Sequence, residues 1–322
     1  MGLVNSMPIQ MGIALAEAAD KGSLYRVFVD EDIISRDIFT YLSILALKTF
    51  RIGIATGITS VYVRNIAVVA SSAAVLQRIS GGRFDLGLGV GVIPEVKRLI
   101  KASPRRPVEV LRDAAMKLRR IFRGEAVDIE AHKASDIQSF RLKIPVKEPR
   151  ILFGVKGAKL TTLAGEFADG IILRGPKRSL FNSLKVVEDA AARAGRSGIE
   201  LDKAVWLPLV EAKSQEDLEL ARITVARMVA DMPQAELEPI LGLAKLDKML
   251  RLLRRGNYKA AARYIPEEAI GEFCLYGFVD DIILERKRLE HLGFTELVVG
   301  PPFGRSPIQA FETVKQLVGS EC

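Results

Sequence analysis

The sequence predicts an α/β protein, a (β/α)8 TIM barrel with insertions after its fourth and seventh strands. Three observations carry this. Short apolar, β-branched runs alternate with amphipathic helical stretches almost without interruption. Eight such runs occur, each followed by helix, which suits a closed parallel barrel better than an open sheet. The 322 residues, 49% hydrophobic and 27% charged, supply one barrel plus insertions with a core that needs no staples. No low-complexity linker or shift in composition divides the chain, so residues 1–322 read as a single domain.

The elements follow in order. Residues 2–5 form a short first run, and residues 14–19 read as helix. Residues 26–29 are the second strand, ending in the acidic cluster Asp30-Glu31-Asp32, with helix over 38–47. Residues 51–59 are the third strand, with helix over 67–79 behind it. Residues 84–90 are the fourth, followed by helix over 108–122. Between 124 and 148 periodicity fails and charge dominates, which marks an insertion, read as a hairpin. The fifth strand is 150–155 with helix over 158–167, and the sixth is 170–173 with helix over 179–194. The seventh, 204–210, holds the single Trp206. A long helical stretch over 215–255 follows, broken at Pro233 and Pro239. Helices over 267–273 and 281–292 precede the eighth strand, 296–299, and residues 308–318 close the chain as helix.

Composition excludes several function classes. Cys274 and Cys322 lie far apart and offer neither a disulfide framework nor metal-ligand spacing. With His132 and His291 as its two histidines, the chain has no material for a His-based metal site or a Ser-His-Asp triad. A reducing, cytoplasmic location is the expectation. No apolar run reaches the roughly 18 residues of a membrane helix, and residues 1–9 lack the features of a signal peptide. The net charge of +8 is spread over many segments, such as Arg119-Arg120, Arg178, Arg254-Arg255 and Arg286-Lys287-Arg288. These read as solvated helix faces, and no interleaved aromatics point to nucleic acid. An anionic small-molecule ligand fits the charge as well.

Barrel enzymes place their chemistry where strands end and loops begin. The fourth strand ends in Gly87-Leu88-Gly89-Val90-Gly91. This departs from a dinucleotide fingerprint, because the third glycine comes one residue early and no helix opens there. Such glycines admit a flat ligand or a neighbouring backbone, or simply pack the rim. Gly57, between Thr56 and Ile58 in the third strand, suggests a bulge. The fifth strand runs through Gly154-Val155-Lys156-Gly157 straight into a helix. There free N–H groups and the helix dipole make an anion site. Arg174-Gly175-Pro176-Lys177-Arg178 and Gly300-Pro301-Pro302-Phe303-Gly304-Arg305 end the sixth and eighth strands with further cations. Each of these is otherwise a turn with exposed charge.

Several stretches resemble the bacterial luciferase-like superfamily. They are Thr56-Gly57-Ile58-Thr59 through Tyr62-Val63-Arg64, residues 67–79, and Gly81-Gly82-Arg83-Phe84-Asp85-Leu86-Gly87-Leu88-Gly89. Gly154-Val155-Lys156-Gly157, Ala164-Gly165-Glu166 with Ala168-Asp169-Gly170, and the glycines and prolines after Gly293 extend the likeness over nearly the whole chain. Within the superfamily the likeness is to the archaeal branch of coenzyme F420-dependent methylenetetrahydromethanopterin reductases. The resemblance implies a cis bulge at Gly57-Ile58 against a deazaflavin ring, in a site that includes Thr56, Gly89 and Gly91. It further implies that Gly154, Lys156, Gly157, Arg174 and Gly175 hold the cofactor tail and phosphate. The activity implied is hydride transfer to a one-carbon unit on a tetrahydropterin, in archaeal one-carbon metabolism, by a homo-oligomer.

The sequence also departs from these relatives. Val92 stands where they often carry an acid, with Glu95 shortly after; Asp32 replaces a histidine that follows their strand-two acid; the first strand, ending at Asn5, lacks a carboxylate. Glu31, Asp32 and Glu95 are the candidate proton-handling groups, and helix capping is their alternative role. Glu31 aligns with the family's acid, and its strand neighbour Asp32 should point the opposite way. An FMN-dependent luciferase-like monooxygenase and a non-catalytic barrel subunit are the competing readings.

Overall fold

In the computed structural model, residues 1–22, 24–32, 34–129, 139–196, 201–230, 232, 234–304 and 306–319 are described. The chain groups into two compact units, residues 1–172 with 185–204, and residues 173–184 with 205–322.

In chain order, the elements up to the insertion are β1 (Gly2–Leu3), α1 (Ile9–Lys21), β2 (Arg26–Val29), α2 (Ile38–Lys48), β3 (Gly53–Thr56), β4 (Thr59–Ser60), α3 (Ile66–Ile79), β5 (Phe84–Gly89), α4 (Ile93–Ile100) and α5 (Pro107–Phe122). Then come β6 (Arg150–Gly154), α6 (Ala158–Phe167), β7 (Gly170–Leu173) and α7 (Lys177–Arg193). In the first unit the strands lie in the order β1, β2, β3, β5, β6, β7, with β4 also on β5. Every pair is parallel, with Phe28 opposite both Gly2 and Ala55, and Leu86 opposite Ile151. The strands are nearly continuous apolar runs because both faces are covered: all four residues of β2 and of β7 are buried. The helices bury one stripe each. In α5 the buried residues are Leu111, Ala114, Ala115, Leu118, Ile121 and Phe122, at helical spacing. Asp37 caps α2 by accepting from the Thr40 N–H at 2.7 Å, and Asn65 caps α3 from Ala67.

The starts of these strands are tied by charge. The Arg26 side chain, 2% exposed, reaches Asp85 at 3.1 Å and Asp202 at 2.8 Å. Arg150 also meets Asp202, and Arg119 bridges Glu148 and Asp169.

The second unit carries β8 (Asp202–Glu211, whose first three residues belong to the first unit), α8 (Gln215–Val229), α9 (Gln234–Leu241), α10 (Leu243–Arg254), α11 (Tyr258–Ala262), α12 (Glu267–Phe273), β9 (Leu275–Gly277), α13 (Val279–His291), β10 (Glu296–Phe303) and α14 (Pro307–Gly319). Both β9 and β10 neighbour β8, and Leu209 faces Leu275 in parallel register. Val225, Val229, Leu237, Leu246, Met249, Ile270 and Phe273 share one buried cluster. Cys274 is buried too, and burial pushes its thiol up to about 12.

The structure differs from the sequence reading in several places. The third strand is two short strands, β3 and β4, separated at Gly57-Ile58. Helix α4 was not anticipated. Pro239 lies inside α9, and the helix ends instead at Gly242. Pro239 removes one helical hydrogen bond, whereas Gly242 adopts φ +73°, which side-chain-bearing residues rarely reach. Val127 and Phe140 form an antiparallel bridge within the charged segment. Residues 130–138 of that segment, His132 among them, and Pro233, Arg305 and Cys322 lie outside the described residues.

One surface tie yields a test. Asp20, near the end of α1, accepts the N–H groups of Phe50, Arg51 and Ile52 at 3.0, 2.7 and 2.7 Å, pinning the turn that enters β3. Burial raises its pKa, but the three N–H donors and the Arg51 charge outweigh this and hold it below the ordinary 3.8. A carboxyl with a depressed folded pKa stabilises above its unfolded pKa and loses that contribution as pH falls through the folded one. Asp20→Ala should therefore cost about 1–3 kcal/mol at neutral pH. In urea titrations the gap from wild type should narrow as pH drops below that of an ordinary Asp. An unchanged gap in acid would disprove the assignment.

Candidate active site

The strand ends of the first unit gather around a bulge. Ile54 of β3 faces Phe84, thirty residues on, while Thr59 of β4 faces Leu88, twenty-nine on. One extra residue is therefore accommodated between the two short strands. The Gly57-Ile58 peptide there is cis. Backbone groups on both sides stay paired: the Gly57 N–H donates to the Val29 carbonyl at 2.6 Å, and Val61 donates to Gly89 at 3.0 Å. The Thr56 and Ser60 hydroxyls bond the Gly87 and Val90 carbonyls at 2.7 and 2.8 Å.

Three glycines make room for what the bulge carries. A Cβ on Gly154 would lie 2.6 Å from Ile58 Cγ2, and one on Gly89 would lie 2.8 Å from both Ile58 Cδ1 and the Gly154 carbonyl. A Cβ on Gly87 would lie 2.0 Å from the Thr56 carbonyl and 3.2 Å from Ile58 Cγ2. The Ile58 side chain thus takes up space that Gly89 and Gly154 leave open, and the Thr56 carbonyl takes up that at Gly87. Gly91, at φ +83°, packs against Ser60 and Val96.

The candidate acids have distinct surroundings. Glu31 is turned inward, its side chain 6% exposed. Its Oε1 accepts from the Thr59 hydroxyl at 3.0 Å and Arg64 Nε at 2.9 Å, and its Oε2 accepts from the Ser60 N–H at 2.8 Å. Asp32 takes another direction, accepting from Ser35 Oγ at 2.5 Å and Ile34 N at 3.2 Å to close a local turn. Glu95 is exposed in the first turn of α4, where a negative charge suits the helix dipole. Asn5, fully buried after β1, donates its side-chain amide to the carbonyls of Asp32 and Arg36 at 3.3 and 2.7 Å. Its backbone N–H donates to Asp30 Oδ1, while its own Oδ1 is buried with no hydrogen-bond partner.

Lys156 is exposed at the end of β6, directly before Gly157. Gly157, at φ +83°, is the N-cap of α6, with no side chain capping the helix and nothing within 4 Å of where its Cβ would lie. In the second unit, Arg174 is exposed and Gly175, at φ +156°, lies beside Met232.

The structure thus brings Glu31, Thr56, Gly57, Ile58, Gly89 and Gly154 together, while Asp32 turns to its own loop. Sequence reasoning gave no role to Arg64, which pairs with both Glu31 and Asp37 at 2.9 and 2.8 Å. Thirty-three residues separate it from Glu31 and no spacing rule connects them. Among the described residues no His/Cys/Asp/Glu group could hold a metal ion, and no helix is long and apolar enough to cross a membrane.

Comparison with known proteins gives four findings. The sequence profile of the family described as luciferase-like monooxygenase matches residues 2–296. The chain is 28% identical to a 5,10-methylenetetrahydromethanopterin reductase of Methanolobus tindarius, over 98% of each chain. Its fold is similar to that of the coenzyme F420-dependent tetrahydromethanopterin reductase from Methanopyrus kandleri, with TM-score 0.86 and 22% identity, covering 98% of this chain and 96% of that one. It is also similar to an F420-dependent secondary alcohol dehydrogenase in complex with an F420–acetone adduct, with TM-score 0.81 and 17% identity, covering 99% and 98%. These likenesses establish the barrel class that the alternation of strand and helix predicts.

The seat of Ile58 can be probed directly. Gly154→Ala inserts a methyl where Ile58 already sits and should destabilise the protein by about 1–3 kcal/mol, as overpacking does. Adding Ile58→Ala to the same chain should recover part of that loss. Two strictly additive losses in a denaturation cycle would show that the two side chains do not compete for one space.

Proposed function

Since the chain belongs to the luciferase-like monooxygenase family, we propose that it is a coenzyme F420-dependent oxidoreductase acting on a methylene-tetrahydropterin. The observation that carries this reading is the end-to-end likeness, at 28% identity, to a 5,10-methylenetetrahydromethanopterin reductase. Similarity of fold to two F420-dependent enzymes supports the choice of cofactor.

The residues of the first unit fit such a group. Its flat ring needs a narrow apolar wall, and Ile58, seated on Gly87, Gly89 and Gly154, offers one at the strand ends. Its phosphate needs donors. The uncapped N-terminus of α6, the open face of Gly157 and the neighbouring Lys156 charge supply them. Bound deazaflavin supplies the hydride; the protein supplies orientation and electrostatics. Glu31 and Asp32 already accept hydrogen bonds from protein donors. Glu31, Asp32 and Glu95 are the acids proposed for proton handling.

The test is a titration of purified protein with oxidised F420 and, separately, with FMN. F420 should bind, and Lys156→Glu should weaken it by more than tenfold, or over about 1.4 kcal/mol, more strongly at low salt. Binding of FMN alone would move the chain to the flavin monooxygenases. Binding of neither would leave a non-catalytic barrel. If F420 binds, turnover with a methylene-tetrahydropterin then tests the substrate.

A further inference from the structure

We propose that Arg64 is a positioning residue for the cofactor platform, acting through Glu31 to hold Thr59 and Ser60, and with them Ile58, in place. The proposal rests on the cofactor reading above and goes beyond it by giving Glu31 a holding role.

The geometry of the pair carries the argument. Both Glu31 oxygens are engaged, Oε1 by Thr59 Oγ1 and Arg64 Nε, and Oε2 by the Ser60 N–H. Thr59 and Ser60 directly follow Ile58, so these bonds fix the far side of the bulge. With 6% of its side chain exposed, the Glu31 carboxylate lies away from water, where an ion pair is the usual accompaniment of a buried charge. Arg64, itself 16% exposed, is the partner.

Arg64 is in turn fixed at its other arm. Its Nη1 lies 2.8 Å from Asp37 Oδ2, and Asp37 caps α2 by accepting from both Thr40 N and Thr40 Oγ1. The guanidinium also stacks 5.4 Å from the centre of the Phe39 ring. A planar fork that binds two carboxylates and lies over a ring links the start of α2 to β4. An ammonium has one charged centre and cannot serve both carboxylates in the same way. The position of α2 is therefore transmitted to the peptide beside Ile58 through two ion pairs and four hydrogen bonds.

The experiment compares Arg64→Met and Arg64→Lys with wild type in two readouts. The first is amide hydrogen exchange over residues 57–62, which includes the Ser60 N–H that Glu31 holds. The second is the Kd for oxidised F420, or for FMN if that is what wild type binds. Arg64→Met should speed exchange in this segment at least tenfold while α6 exchanges as in wild type. It should also raise Kd at least tenfold, and Arg64→Lys should restore part of both. Local loosening with unchanged Kd, no local loosening, or loosening throughout the protein would each overturn the proposal. If Arg64→Met does not fold, Glu31→Gln is read in the same two ways, since it removes the charge and keeps the shape. A wild type that binds neither cofactor refutes the cofactor reading, and the positioning role falls with it. A wild type that binds while the variants match its Kd refutes the positioning role alone.

Discussion

The strand ends of the first unit depend on how one buried carboxylate is satisfied. A strand with an extra residue loses its regular pairing where it bulges, and the backbone groups next to the bulge need other partners. Glu31 provides one for Ser60, and its neighbouring oxygen takes the Thr59 hydroxyl. That solution brings a charge into the interior, which Arg64 offsets. The remaining features follow from it. The bulge directs Ile58 towards β5 and β6, where Gly89 and Gly154 leave room for it, while Gly87 admits the Thr56 carbonyl. The glycines that resemble a nucleotide fingerprint thus each meet a neighbour within the same protein: the Thr56 carbonyl at Gly87, Ile58 at Gly89, Ser60 and Val96 at Gly91.

The other ends of these strands are held by a different device. Arg26, Asp85, Asp202 and Arg150 form a network with little access to water at the starts of β2, β5, β6 and β8. Burial raises the pKa of Asp85, and the nearby Arg26 and Arg150 charges only partly oppose this. Such a network contributes little net stability compared with apolar packing, yet removing one member leaves an uncompensated charge. Its effect is to fix register. A one-residue slip of β2 against β3 would break both Arg26 contacts and turn every side chain to the opposite face. The strand starts therefore tolerate little movement, and a ligand site at the strand ends inherits a defined frame.

Much of this frame was legible from the chain alone. Strands β2, β6 and β7 and helix α6 match their apolar runs because burial on both faces leaves an unmistakable pattern. The third strand was read as one piece because residues on both sides of the bulge are apolar or β-branched. Helix α4 escaped notice because it is only eight residues long and carries Pro94 in its first turn. The Gly87 to Gly91 cluster left two readings open, since sequence does not tell which neighbour approaches a missing side chain. Arg64 lay inside a stretch already singled out, but its partners are Glu31 and Asp37, and pairs across a barrel rim leave no periodic mark.

Positions 5 and 32 meet in one loop. The side-chain amide of Asn5 donates to the carbonyls of Asp32 and Arg36 and so fixes the loop that follows β2. A carboxylate at position 5 has no proton to donate and would face those carbonyls with like partial charge. The loop conformation that turns Asp32 towards Ser35 is thus compatible with an amide at position 5 and opposed by an acid there. What remains at this corner is Asn5 Oδ1, a buried neutral acceptor with no hydrogen-bond partner. The loop after β2 thus sets a neutral amide at position 5 among two carboxylates, Asp30 held by the Asn5 N–H and Asp32 by the Ser35 hydroxyl.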